Sequence, residues 1–349
     1  MFERSLALTE KMRLKDYTLT ELETFFETEG QKKYRAKQVF KWLHRGVVDF
    51  EEMTDLSKEL RGILQEKCII GFPIIKQKLV SQKDGTVKYL LQFDDGNFVE
   101  TVMMRYEHGN TLCISTQVGC KMGCHFCAST IGGLVRHLKG GEILDQILCV
   151  QKDLGERISN VVMMGIGEPL DNYNHVIKFL KNVNAKEGLN IGYRHITLST
   201  CGLVPKMIKL SEENMPITLS VSLHAPNDDI RNKIMPINTR FSIDKILQAC
   251  KIYIERTKRR ITFEYAMIDG MNDSKNNAEQ LVSKIKPLQC HVNLIPVNQV
   301  DGRKFNRSSK QNVEAFRWVL EKAGIPTTVR RELGGDINAS CGQLRRGYV

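Results

Sequence analysis

Three cysteines crowd into one short run, Cys120-Lys-Met-Gly-Cys124-His-Phe-Cys127. Thiolates separated by three and then two residues can hold three corners of a cubane iron–sulfur cluster. The fourth iron then has no protein ligand and is open to an exogenous chelator. Zinc is the rival, but a structural zinc site closes four ligands, and His125 inside the loop could complete the set only in awkward geometry. Ten cysteines in 349 residues are too few for a disulfide scaffold of this length. In a reducing compartment they point to metal or redox chemistry.

Other residues with chemical potential lie beyond the loop. The run Val161-Val-Met-Met-Gly-Ile-Gly167-Glu168 closes an apolar stretch with glycines, which allow close backbone approach, and a carboxylate that can grip an ammonium. Ser199, Ser222-Leu223-His224 and Asn298 end later apolar runs, where polar groups could hold a ribose or a carboxylate. Two further cysteines stand out. Cys341 lies in a Gly/Ser/Asn-rich segment and is a poor core filler, so reactivity is its better reading; Cys113, between Leu112 and Ile114, reads as a buried strand thiol. Glu100, in Asn97-Phe-Val-Glu-Thr-Val, reads from its residues as a strand glutamate at the surface.

The elements that must position these groups are legible from periodicity. From Thr111 onward, apolar runs at 111–118, 160–165, 195–200, 217–223, 261–267, 291–296 and 327–331 alternate with helical stretches. These helices are expected over Glu142–Leu154, Val176–Val183, Ile243–Arg256, Ala278–Ile285 and Val313–Ala323. Seven strands and no clear eighth predict an α/β fold, a partial parallel (β/α) barrel over 106–349, with chemistry at the C-terminal ends of its strands. Residues 73–105 alternate in period two around Lys83-Asp-Gly and Asp94-Asp-Gly-Asn, which predicts a short antiparallel β linker. Residues 1–72 carry helical spacing at Thr18–Glu29, Lys37–Arg45 and Ser57–Lys67, a small N-terminal helical domain. No run of about 18 apolar residues and no signal-peptide pattern is present, so a cytoplasmic protein with no membrane partner is expected.

An aromatic residue just before the third cysteine, after a barrel strand, resembles the radical S-adenosylmethionine (SAM) superfamily. The resemblance narrows with Cys113-Ile-Ser-Thr-Gln-Val-Gly-Cys120, Gly167-Glu-Pro-Leu-Asp-Asn, Ser222-Leu-His-Ala-Pro, Met235-Pro-Ile-Asn, Val292-Asn-Leu-Ile-Pro and Ala339-Ser-Cys-Gly-Gln-Leu. Together, in order from Tyr34-Arg-Ala-Lys-Gln to Leu344, they resemble the RlmN/Cfr family of radical SAM RNA adenosine methyltransferases. The resemblance implies a 4Fe–4S cluster on Cys120, Cys124 and Cys127, and two SAM molecules per turnover, with Gly167, Glu168, Ser199, Ser222, Leu223, His224 and Asn298 at the cofactor site. It implies that Cys341 is methylated and carries the carbon to adenine after a 5′-deoxyadenosyl radical removes a hydrogen. Cys113 then releases the product through a disulfide with Cys341, and Glu100 is the general base. Its partners would be 23S rRNA, tRNA and an electron donor such as flavodoxin or ferredoxin. Gly167-Glu-Pro-Leu matches the branch that methylates carbon 2; the Cfr branch, which methylates carbon 8 and confers antibiotic resistance, and a non-catalytic zinc-stapled RNA-binding protein are the alternatives.

A net charge of +11 suits a polyanionic partner. Basic clusters lie at Lys32–Arg45, Arg256–Arg260, Arg330-Arg331 and Arg345-Arg346, and Tyr34 could stack on a base.

Overall fold

The computed structural model describes residues 11–300 and 302–345. The chain begins with strand β1 (Met12–Arg13) and helices α1 (Leu19–Thr28), α2 (Lys33–His44) and α3 (Lys58–Lys67). Thr18 starts α1 with a reciprocal cap: its hydroxyl accepts from Glu21 N at 3.3 Å while the Glu21 carboxylate accepts from Thr18 N at 2.7 Å. The apolar faces of these helices close over Leu22, Phe26, Phe40, Leu43 and Leu64, a core separate from the main one. Strand β2 (Cys68–Ile69) pairs in parallel with β1 and ties the module's ends together. Two-residue strands carry no period, so neither is visible in the sequence. The module is fixed to the barrel by a buried Lys15–Asp145 ion pair, by Gly141 N donating to Asp16 at 2.9 Å and by Asn182 Nδ2 donating to Tyr17 O at 3.1 Å.

The main sheet starts with β3 (Ile74–Val80), β4 (Val87–Gln92), β5 (Phe98–Tyr106) and β6 (Gly109–Cys113), all antiparallel. A hairpin of β7 (Gln117–Gly119) and β8 (Leu134–His137) stands apart from it. Parallel strands β9 (Asn160–Met163), β10 (Ile196–Thr200), β11 (Thr218–Ser222), β12 (Ile261–Met267), β13 (Cys290–Pro296) and β14 (Thr327–Val329) complete it. The order is β14-β13-β12-β11-β10-β9-β6-β5-β4-β3, so β6 is both the last antiparallel strand and the first of seven parallel ones. The antiparallel segment is therefore no detached linker but a continuation of the barrel sheet. β3 and β14 each have one neighbour, and the barrel stays open.

Helices α4 (Gly140–Leu154), α5 (Tyr173–Asn184), α6 (Val204–Leu210), α7 (Asp228–Ile234), α8 (Ile243–Thr257), α9 (Lys275–Ile285) and α10 (Lys310–Lys322) connect the strands. The five expected helices are present; α6 and α7, seven residues each, are too short to show a period. The expected strand at 111–118 breaks after Cys113. Buried Gln146 takes over the backbone of Ser115, accepting from its N at 2.9 Å and donating to its O at 2.8 Å, which turns the chain out of the sheet. Gly119 then lies against Gly133, where a Cβ would stand 1.9 Å from the Gly133 carbonyl oxygen, so only glycine closes this hairpin. The cysteine run forms the loop between β7 and β8.

Candidate functional site

The C-terminal ends of the parallel strands surround a cavity of about 960 Å³, mouth included. Cys120, Cys124 and Cys127 line it from the β7–β8 loop, and Gly167, Glu168, Ser199, Ser222, His224 and Asn298 line it from the strand ends. Of the expected cofactor residues, Leu223 alone is absent from the wall. Its side chain is fully buried in the barrel core and its carbonyl accepts from Arg231 Nε at 3.0 Å.

The three thiols fit a cluster better than a single ion. Among the described residues no three His, Cys, Asp or Glu side chains converge on one metal position. A cubane binds each thiolate to a different iron and does not need such convergence. His125 is no fourth ligand: it faces outward, its Nδ1 engages Lys233 O at 2.9 Å and it does not line the cavity. His125 therefore does not complete a zinc site with the three cysteines. Burial pushes the Cys120 thiol up to about 12 and raises Cys124 and Cys127 as well. Thiolates in such a pocket need bonded cationic charge, which cluster iron supplies. Met122, Met235, Ile268 and Val297 give the loop an apolar surround.

Glu168 is held from two sides. One carboxylate oxygen accepts from Leu170 N at 3.0 Å and the other from Cys201 N at 2.7 Å, with the Thr200 and Cys201 side chains also bonded to the carboxylate. Burial raises its pKa, and the backbone donors oppose that. Gln117 Oε1 accepts from Glu168 N at 2.8 Å and places the residue. His224 adopts φ +58° and accepts from Ala266 N at 2.9 Å through Nδ1, so its ring proton resides on Nε2. Burial lowers its pKa to about 3, and Phe126 packs edge-on against the ring at 5.0 Å.

Cys341 lines this cavity and also a second one, of about 560 Å³, which contains Cys113. The two cysteines that the resemblance pairs thus meet in one space. Burial pushes Cys113 up to about 12 and raises Cys341; the Arg330 guanidinium opposes both. Both are free thiols, and the expected disulfide between them is not formed. Arg330 corrects a further expectation: it is no surface contact but turns inward to line both cavities. Arg346 lies outside the described residues.

Glu100 is not the surface glutamate its residues suggest. It is 4% exposed, pairs with Lys88 at 3.1 Å and accepts from Arg345 N at 2.8 Å. It faces a third cavity beneath the C-terminal segment and lines neither of the cavities that contain Cys341. Two residues escaped sequence reasoning. Arg231, fully buried, donates to the carbonyls of Cys201 (2.7 Å), Ser222 (3.0 Å) and Leu223 (3.0 Å) and splices the ends of β10 and β11. Glu264 accepts from Ser220 Oγ at 2.6 Å and Asn293 Nδ2 at 2.8 Å at the cavity floor. The only sign of Glu264 was a charge inside the apolar run 261–267; Arg231 left none.

An open parallel barrel with a three-cysteine loop at its C-terminal rim defines a radical SAM enzyme. Residues 114–281 match the family model "Radical SAM superfamily", and residues 12–70 match "Ribosomal RNA large subunit methyltransferase N-terminal domain". The "Probable dual-specificity RNA methyltransferase RlmN" of Clostridium tetani is 54% identical over 97% of this chain and 97% of its own. That of Desulforamulus reducens is 55% identical with the same coverage. The crystal structure of a radical SAM methyltransferase from Sphaerobacter thermophilus superposes with a TM-score of 0.91 at 43% identity, covering 96% of this chain and 99% of that one. The chain belongs to the RlmN family of radical SAM RNA methyltransferases. No helix among the described residues is long and apolar enough to cross a membrane.

Proposed function

We propose that the enzyme methylates carbon 2 of adenosine in 23S rRNA, at the peptidyl-transferase centre, and in tRNA, 3′ of the anticodon. The observation that carries the reading is Cys341 on the wall shared by the cysteine-loop cavity and the Cys113 cavity. An adenine ring C–H is neither acidic nor nucleophilic, so polar methyl transfer has no foothold and a radical route is required. With a 4Fe–4S cluster on Cys120, Cys124 and Cys127 and an electron from a flavodoxin- or ferredoxin-type donor, SAM supplies a 5′-deoxyadenosyl radical, and a second SAM supplies the methyl group.

The chain's own residues do the rest. Glu168 grips the ammonium of SAM, with Gly167 giving room for its backbone and Ser199, Ser222, His224 and Asn298 offering polar contacts. Cys341 takes the methyl group as a thioether, which turns one hard step into several accessible ones. Once that carbon, one hydrogen removed, is bonded to adenine and the adduct has given back the single electron, the Cys113 thiolate attacks the Cys341 sulfur. The C–S bond breaks, its electron pair takes up a proton to complete the methyl group, and a Cys113–Cys341 disulfide remains for a thiol reductant to open. Glu100 accepts the proton that leaves carbon 2 after the C-terminal segment pinning its carboxylate has shifted. Gly167-Glu-Pro-Leu and the RlmN names of the relatives favour this branch over the Cfr-type carbon-8 branch.

The test is anaerobic reconstitution followed by reaction of unmodified RNA with methyl-deuterated SAM, nucleosides being resolved by mass spectrometry. Labelled 2-methyladenosine that vanishes in Cys341→Ala is expected. Labelled 8-methyladenosine would overturn the branch, and no methyladenosine from a preparation with an intact cluster would overturn the RNA reading.

A further inference from the structure

Next to the Cys113 cavity lies a fourth space, at the opposite ends of the strands from the cysteine loop. Its volume is about 600 Å³, mouth included, and it shares Met104, Tyr106 and Arg330 with the Cys113 cavity. It sits at the N-terminal ends of β6, β9 and β10, marked by Thr111, Asn160 and Thr197. At its rim, the exposed rings of Tyr106 and His108 stack on each other, 5.0 Å apart and 15° from parallel. Arg194 and His195 face them from the start of β10, and no carboxylate lines the space. Arg194 is exposed and has no ion pair among the described residues. Thr111 is 5% exposed, and its buried Oγ1 has no hydrogen-bond partner although the residue faces the space.

In the reading above the first cavity is the cofactor site, and Cys341 also lines the Cys113 cavity, which offers an adenine a second approach to the sulfur. We infer that the Tyr106–His108–Arg194 bowl is the access route for RNA and the subsite for the nucleotide flanking the target adenosine. The base of that nucleotide stacks on the paired rings, and its phosphate takes Arg194. A ribose 2′-hydroxyl is the kind of partner that the Thr111 hydroxyl lacks. The inference rests on the RNA reading above and adds where the strand enters.

The experiment compares the reconstituted wild-type enzyme with Tyr106→Ala and Arg194→Glu on a synthetic tRNA anticodon stem-loop. A second stem-loop has an abasic residue beside the target adenosine. SAM-dependent methylation of Cys341 without RNA, read by intact mass, verifies that each variant retains a working site. Loss of one base–aromatic stack should raise KM for the complete stem-loop roughly tenfold in Tyr106→Ala. Arg194→Glu should raise KM by at least as much. On the abasic stem-loop, wild type and Tyr106→Ala should become alike. Variants with wild-type KM, beside an active wild-type enzyme, would overturn the subsite alone; a wild type that methylates its own cysteine but no RNA would overturn the RNA reading and the subsite with it.

Discussion

Replacing Glu168 by Gln tests the SAM-binding end of the site. Leu170 N at 3.0 Å and Cys201 N at 2.7 Å each donate to a different oxygen of the carboxylate. The amide keeps one oxygen, so its NH2 group must confront one of those backbone donors. That exchanges a charge-assisted hydrogen bond for a donor–donor contact and costs about 1.5–3 kcal/mol of stability. The same change removes the negative charge opposite a ligand ammonium, and a comparable loss there weakens SAM binding about 10- to 150-fold. Equilibrium dialysis of SAM against reconstituted enzyme measures the second effect; urea unfolding at unchanged m measures the first. The direction of the pKa shift adds a pH dependence. Because burial raises the Glu168 pKa, its carboxyl protonates sooner on acidification than an exposed one, so wild-type SAM affinity should fall as pH drops while that of Glu168→Gln stays flat. SAM affinity in Glu168→Gln within about twofold of wild type, with the fold intact, would refute the assignment.

Arg231→Met should lower stability by at least about 3 kcal/mol, because three strand-end carbonyls lose their donor together; a urea midpoint near wild type would show that water or a neighbour replaces it. Burial lowers the pKa of His44 from 6.5 to about 4, so its neutral form is favoured in the folded chain. Its contribution is present above pH 6.5 and is lost as pH falls through about 4; His44→Leu should flatten the acid side of a stability–pH curve relative to wild type. At the start of α2, neutralising Lys32, Lys33, Arg35 and Lys37 should weaken RNA binding and flatten its salt dependence by up to about 0.7–0.9 for each phosphate no longer neutralised, and an unchanged slope in filter-binding titrations would remove that edge from the interface. Lys15→Met strands Asp145 in the contact between the N-terminal module and α4 and should cost about 3–5 kcal/mol, whereas Lys15→Met with Asp145→Leu should recover most of it.

The barrel strands and long helices were legible because each spans more than one period of its own pattern. The cysteine loop was legible because its spacing is chemical. What stayed hidden depends on approach in space. The break after Cys113 is set by Gln146, 31 positions from Ser115. Hairpin β7–β8 depends on a carbonyl pressing against Gly119. Arg330 read as half of a surface pair because nothing in Arg330-Arg331 tells which side chain turns inward. Leu223 and His224 are neighbours at one strand end, yet only His224 reaches the cavity, since its positive φ turns the chain there. For Glu100, the residues suggested exposure and the family resemblance suggested a base. The structure gives a third arrangement, a buried carboxylate in partnership with Lys88 and the C-terminal backbone.

That arrangement explains why the antiparallel strands belong to the barrel sheet. Among the described residues, the segment that presents Cys341 has no helix or strand beyond β14 apart from one short turn at Gly335–Ile337. A chain of that kind holds position only through what it is tied to. On one side the ties come from the β3–β4 region: Asp84 accepts from Gly334 N at 2.9 Å, Ser81 Oγ donates to Asp336 at 2.7 Å and Lys88 Nζ donates to Asn338 O at 3.2 Å. On the other side they come from the end of the cysteine loop, where Ala128 N donates to Gly342 O at 2.7 Å and Ser129 Oγ to Leu344 O at 2.7 Å. Asn298 Nδ2, from the end of β13, donates to the carbonyl of Cys341 itself at 3.0 Å. The reactive sulfur is thus suspended between the loop that presents the three cysteines and the sheet extension that carries Glu100. These are mostly single, buried or half-buried hydrogen bonds, each worth about 0.5–1.5 kcal/mol, and together they fix the thiol between two cavities. The proposed chemistry, a carbon accepted on one side and attack by Cys113 on the other, calls for a sulfur held in this way between the two cavities.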